Sequence, residues 1–169
     1  LEPAAFPPRS PESAGMSEVV YPTPFGDYTG WFAPGTGTTW LILVHGKAAL
    51  HREMLRMVDA TRRHELPTLS VTYRNDEGAP LTDDGLPNFG REEWRDLEAA
   101  IEYALARGAS DVVIAAESIG SAVTLWFLHE SRFADRVRGL VFDSPMLDVG
   151  SSMVWVGKTA SVVPAVVVR

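Results

Sequence analysis

Residues 112–121 read Val112-Val113-Ile114-Ala115-Ala116-Glu117-Ser118-Ile119-Gly120-Ser121. A β-branched apolar run enters a serine, and an apolar run with helical spacing leaves it. Such a strand–turn–helix reads as a nucleophile elbow. The turn strains the backbone of its central residue, so the residues two before and two after must be small. Here they are Ala116 and Gly120, with Ala116 standing where G-x-S-x-G opens on glycine. The serine hydroxyl is expected to stand clear of the sheet top, beside free backbone N–H groups at a helix N-terminus.

Strands and helices alternate on both sides of this motif. Residues 18–21 and 28–32 are short β-type runs around the turn Pro24-Phe25-Gly26-Asp27 and predict a hairpin. Pro34-Gly35-Thr36-Gly37 reads as a plain turn, since it lacks the third glycine of a dinucleotide loop. Residues 40–44 predict a buried strand. Residues 50–65 predict a helix with Met54, Met57, Val58 and Thr61 on one face, ended by Pro67. Residues 68–73 predict a strand and 74–90 a long loop with turns at Asp76-Glu77-Gly78 and Asp83-Asp84-Gly85. Residues 91–107 predict a helix with Trp94, Leu97, Ile101 and Leu105 inward and Gly108 at its end. A strand over 111–116, a helix over 119–130 and a strand over 137–142 complete the pattern.

Repeated units of this length imply an α/β fold, a mostly parallel sheet with helices on both faces. Ligands of such sheets bind beyond the carboxyl ends of the strands, where Ser118 lies. Residues 1–15, rich in Pro, Ala and Ser, read as an extended arm. Residues 16–150 read as the core, and 151–169 as part of a cap or the start of another strand.

Composition narrows the chemistry. The 169 residues suffice for one domain with a sizeable core. A net charge of -7 without a basic cluster argues against a nucleic-acid partner. The absence of cysteine removes disulfides, thiolate metal sites and a cysteine nucleophile. No apolar run is long enough for a membrane span and no signal peptide is visible, so a soluble protein is expected, with the cytoplasm the favoured compartment. Asp83-Asp84 is too isolated to suggest a metal, and no H-E-x-x-H or G-x-x-x-x-G-K-[ST] occurs.

Together these residues resemble the α/β-hydrolase superfamily. Leu43-Val44-His45-Gly46-Lys47 resembles the family's strand ending in His-Gly. Ala116-Glu117-Ser118-Ile119-Gly120 resembles its elbow, and Val141-Phe142-Asp143-Ser144-Pro145 a strand end of one serine-hydrolase branch. Within that branch, Tyr73-Arg74-Asn75-Asp76, Gly78-Ala79-Pro80 and the run Glu93-Trp94-Arg95-Asp96-Leu97-Glu98-Ala99-Ala100 are similar to a bacterial group. The match runs over residues 18–149.

The resemblance implies roles. Ser118 is the expected nucleophile, and the backbone N–H groups of Ile119 and Lys47 the expected oxyanion hole. His45, Gly46 and Glu117 are expected at the substrate; apart from the resemblance, a carboxylate at position 117 suits pairing with a loop arginine such as Arg74. The implied reaction is hydrolysis of a small carboxylic ester through an acyl-enzyme, with no metal or organic cofactor. The family's histidine and acid positions fall past Arg169. Of the four histidines, His51 is the one that could approach Ser118; His45 belongs to the His-Gly turn, and His64 and His129 lie at far helix ends. Asp143 is a candidate acid, with capping of the following turn as the alternative. The rival reading is a non-catalytic binding or scaffold module. In either case an open sheet edge beyond 137–142 predicts self-association or a partner chain.

Overall fold

Tyrosine and glycine spacing sets up the first two strands. In β1 (Ser17–Thr23) and β2 (Gly26–Ala33) the core takes Tyr21, Tyr28 and Gly30, while most intervening residues face outward. The strands pair antiparallel with Tyr21 opposite Tyr28, and the rings lie 6.4 Å apart. Gly26, at φ 121°, closes the turn with a backbone that a side chain would strain. Thr23 Oγ1 fastens it by accepting the Phe25 N–H and donating to the Gly26 carbonyl.

The computed structural model describes residues 10–47, 54–77, 79–82, 85–148 and 150. Past the hairpin come β3 (Thr39–Val44), α1 (Leu55–Thr61), β4 (Thr68–Ser70), α2 (Trp94–Ala106), β5 (Asp111–Glu117), α3 (Ile119–Glu130) and β6 (Val137–Asp143). The six strands form one mixed sheet in the order β1-β2-β4-β3-β5-β6. The pairs β4–β3, β3–β5 and β5–β6 are parallel, and β2 joins β4 antiparallel.

Strand β3 shows why both faces are covered. Trp40, Ile42 and Val44 belong to a core with Leu97, Ile101 and Ala104 of α2 and Val123 and Phe127 of α3. Leu41 and Leu43 belong to a second core with Leu55 and Val58 of α1 and with Met54. The period of two sends alternate residues to opposite faces, so a wholly apolar strand needs helices on each.

Four expectations change. Glu12–Ala14 forms a short 3-10 turn, and Ala14 and Met16 are buried in the second core. The end of the expected extended arm is therefore docked, because two apolar side chains find the α1 face. The α1 helix covers only Leu55–Thr61 and tightens into a 3-10 turn over Arg62–His64; residues 50–53, with His51, lie outside the described residues. Strand β4 stops at Ser70 instead of running to residue 73. The Tyr21 hydroxyl takes over there, donating to the Thr72 carbonyl at 3.0 Å and accepting its N–H at 3.2 Å. Helix α2 begins at Trp94 because the buried Glu93 carboxylate accepts the N–H groups of Asn88 and Gly90 and holds residues 88–93 as turns. The segment over 151–169 lies outside the described residues.

Arg74 ties the loop after β4 to α2. Its Nε and Nη2 donate to the two oxygens of Asp96 at 2.8 and 3.0 Å, and its backbone N–H adds a third bond at 2.9 Å. Asp96 is wholly buried, and Arg74 also reaches Glu92 at 2.9 Å. Removing one partner of a buried bidentate pair leaves the other charge uncompensated. Asp96→Asn is expected to cost about 3 kcal/mol in urea unfolding; a loss under about 0.5 kcal/mol, the range of an ordinary surface change, would contradict this role.

Candidate functional site

Strand β5 delivers Ser118 to the carboxyl edge of the sheet, and α3 starts at the next residue. Ser118 has φ 49° and ψ -118°, outside the regions that L-residues favour. Its side chain makes no capping hydrogen bond to α3 although it occupies the N-cap position. The backbone is fixed instead: its N–H donates to the Asp143 carbonyl at 3.1 Å, and its carbonyl accepts the Ser121 and Met146 N–H groups, each at 3.1 Å.

Gly120 explains how the first turn of α3 meets the end of β3. A Cβ there would stand 2.5 Å from the Val44 carbonyl oxygen and 2.6 Å from that of His45. Only a glycine allows this approach, which sets the segment 45–47 beside the elbow. Among the described residues, neither the Ile119 N–H nor the Lys47 N–H donates to another backbone group outside the helices and strands.

The His45 ring is 2% exposed and stacks on Tyr73 with centroids 4.4 Å apart. Its Nε2 lies 2.9 Å from Asp76 Oδ2 and its Nδ1 2.8 Å from the Gly46 carbonyl. The Tyr73 hydroxyl donates to the His45 carbonyl at 2.9 Å, and the Tyr73 N–H donates to Asp76 at 2.8 Å. Both ring nitrogens of His45 are committed, and the side chain braces the 45–47 turn. Gly46 is likewise buried, with its carbonyl already accepting bonds. Burial pushes the Tyr73 hydroxyl well above its ordinary range and keeps it a neutral donor.

Glu117 pairs with Arg56 of α1 at 3.1 Å rather than with Arg74, which Asp96 and Glu92 occupy. The same Arg56 Nη2 reaches Asp143 Oδ2 at 2.8 Å. Its hydrogen bond holds the Asp143 carboxyl below the usual range, helped by the Ser144 hydroxyl donating at 3.1 Å. An apolar cavity of about 310 Å³ lies along α3, lined by Ala122, Leu125 and Trp126 with Phe89, Met146 and Leu147. Among the described residues no trio of His, Asp or Glu side chains is placed to hold a metal ion, and no helix is long and apolar enough to cross a membrane.

Sequence reasoning singled out the Tyr73–Asp76 run but not its work under His45, and it missed Arg56. The signal for Arg56 was a lone cation among Met54, Leu55, Met57 and Val58.

Replacing Gly120 by Ala drives a Cβ into two backbone carbonyls that cannot rotate away. It is expected to destabilise the chain by about 2 kcal/mol or more in urea unfolding; an unchanged midpoint would show that the elbow and β3 are not in contact.

No family model matches the chain, and no curated relative does. Solved structures do. An esterase of Pyrococcus furiosus superposes with a TM-score of 0.72 at 15% identity, over 98% of this chain and 64% of that one. A serine hydrolase without a lid from Xanthomonas campestris gives 0.64 at 17% identity, over 77% and 61%. An epoxide hydrolase of Vigna radiata gives 0.63 at 15% identity, over 79% and 40%. The chain thus spans less than two thirds of the length of these structures. It has the α/β-hydrolase fold.

Proposed function

We propose that the chain carries the nucleophile half of a serine hydrolase that acts on carboxylic esters. One observation carries the reading: Ser118 is held at φ 49° on the β5–α3 turn without capping its helix. Strain of this kind persists where the surroundings over-determine it, and it lifts the hydroxyl off the sheet. The esterase and serine hydrolase among the similar structures add support.

In this reading Ser118 Oγ attacks the ester carbonyl carbon as its proton passes to a base. The carbonyl oxygen becomes an oxyanion facing the N–H groups of Ile119 and Lys47, at the N-terminus of α3 and the end of β3. Collapse breaks the bond to the alcohol oxygen, which leaves with the proton. Water then attacks the acyl-enzyme and releases the acid. The base comes from a residue outside this chain, from an assembly of it, or from a local arrangement within it, and Asp143 is the nearby candidate for the acid. The apolar cavity along α3 suits an apolar substituent on the ester.

A non-catalytic module is the second reading, favoured by the histidines. Among the described residues, His45 is locked by Asp76, His64 contacts Arg63, and His129 contacts Glu130. In that reading the outer edge of β6, with Leu140 and Val141 exposed by 41% and 47%, would seat a second copy of the chain.

Treatment with a fluorophosphonate, followed by peptide mass mapping, separates the two. The hydrolase reading expects an adduct on Ser118 that Ser118→Ala abolishes. A folded chain without an adduct, sedimenting as a dimer that Val141→Lys dissociates, would establish the second reading instead.

A further inference from the structure

We propose that Arg56 is a positioning residue for the elbow, binding the carboxylates on both sides of Ser118 into one ion cluster. Its importance for reactivity rests on the nucleophile reading of Ser118; its existence does not.

Three elements meet in this cluster. Arg56 comes from α1, Glu117 ends β5, and Asp143 ends β6. The guanidinium Nη2 lies 3.1 Å from Glu117 Oε2 and 2.8 Å from Asp143 Oδ2. Each carboxylate is one step from the nucleophile. Glu117 precedes Ser118 in the chain, and the Asp143 carbonyl accepts the Ser118 N–H. Strands β5 and β6 also place Glu117 directly opposite Asp143 in their register. Two like charges at that spacing repel, and a cation between them reverses the sign of the contact.

The electrostatics favour a positioning role over a surface pair. The Arg56 side chain is 34% exposed, so the pairs are partly shielded from water. Glu117 Oε2 is buried and has no aligned hydrogen bond, which leaves Arg56 as its charge partner among the described residues. Without Arg56 the turn would hold two uncompensated negative charges beside Ser118. Both would oppose an oxyanion forming there.

The groups facing Asp143 among the described residues are Arg56 of α1, Glu117 of β5 and the adjacent Ser144 hydroxyl. The other acid on β5, Asp111, lies at the opposite strand end and pairs with Arg138. Asp143 has a depressed native carboxyl. It therefore stabilises the fold above the unfolded carboxylate value of about 3.9, and that contribution fades as pH falls through its native midpoint.

The test compares the wild-type chain with Arg56→Met and Arg56→Lys by carbon-detected NMR titration of Asp143, following the Ser118 amide in the same spectra. In wild type, Asp143 is expected to titrate below the ordinary range, and the Ser118 amide to move with it. Arg56→Met should move the Asp143 titration upward, toward the ordinary carboxylate range, and Arg56→Lys should lie between. Fluorophosphonate labelling of Ser118 at neutral pH should fall about fivefold in Arg56→Met, the size of a partly exposed ion pair, and recover in Arg56→Lys. Identical Asp143 titrations in folded wild type and Arg56→Met would overturn the cluster. Unchanged labelling in Arg56→Met would overturn the positioning role. An unlabelled wild type with a shifted Asp143 would uphold the cluster and reject the nucleophile reading.

Discussion

The rest of the site depends on the contact between Gly120 and the carbonyls that end β3. Because no Cβ intervenes, the first turn of α3 rests on the backbone of Val44 and His45. That contact sets the elbow and the 45–47 segment side by side. It also fixes the angle at which α3 leaves the sheet, and with it which residues of α3 reach the core. Val123 and Phe127 are wholly buried as a result, while Leu125 faces outward. The unfavourable backbone of Ser118 is held by the same frame, with β6 supplying the Asp143 carbonyl and Met146 closing from the far side.

Among the described residues, charged side chains brace this frame at three places. Asp76 holds the His45 ring and the Tyr73 N–H, so one carboxylate orders both the turn after β3 and the chain leaving β4. Asp96 does the same for the loop after β4 by meeting Arg74 with both oxygens. Arg56 joins the ends of β5 and β6 to α1. Each group lies at or just past the carboxyl end of a strand, or on a helix facing that end. Loops there receive little support from sheet pairing, so polar side chains take its place.

How much of this was legible in the sequence follows from how local each feature is. The elbow was legible because its requirements fall within five residues: small side chains around a serine between two apolar runs. The order of strands and helices was legible for the same reason, since periodicity is a short-range property. The end of β4 was not, because a hydroxyl 51 residues away replaces its ladder. The buried duty of His45 needed Tyr73 and Asp76, which lie 28 and 31 residues further on. Ala14 and Met16 entered the core from a stretch with no period at all. Arg56 belonged to neither pattern, since a cation on an apolar helix face shows its meaning only when the acids it faces are known.

The central claim is that the strained serine faces two backbone donors from separate elements. A crystal structure of the fluorophosphonate-treated chain tests it most directly. The account predicts a phosphonyl oxygen within about 2.7–3.1 Å of both the Ile119 and Lys47 N–H groups. A phosphonyl oxygen turned to solvent, or an adduct on any residue other than Ser118, would contradict it.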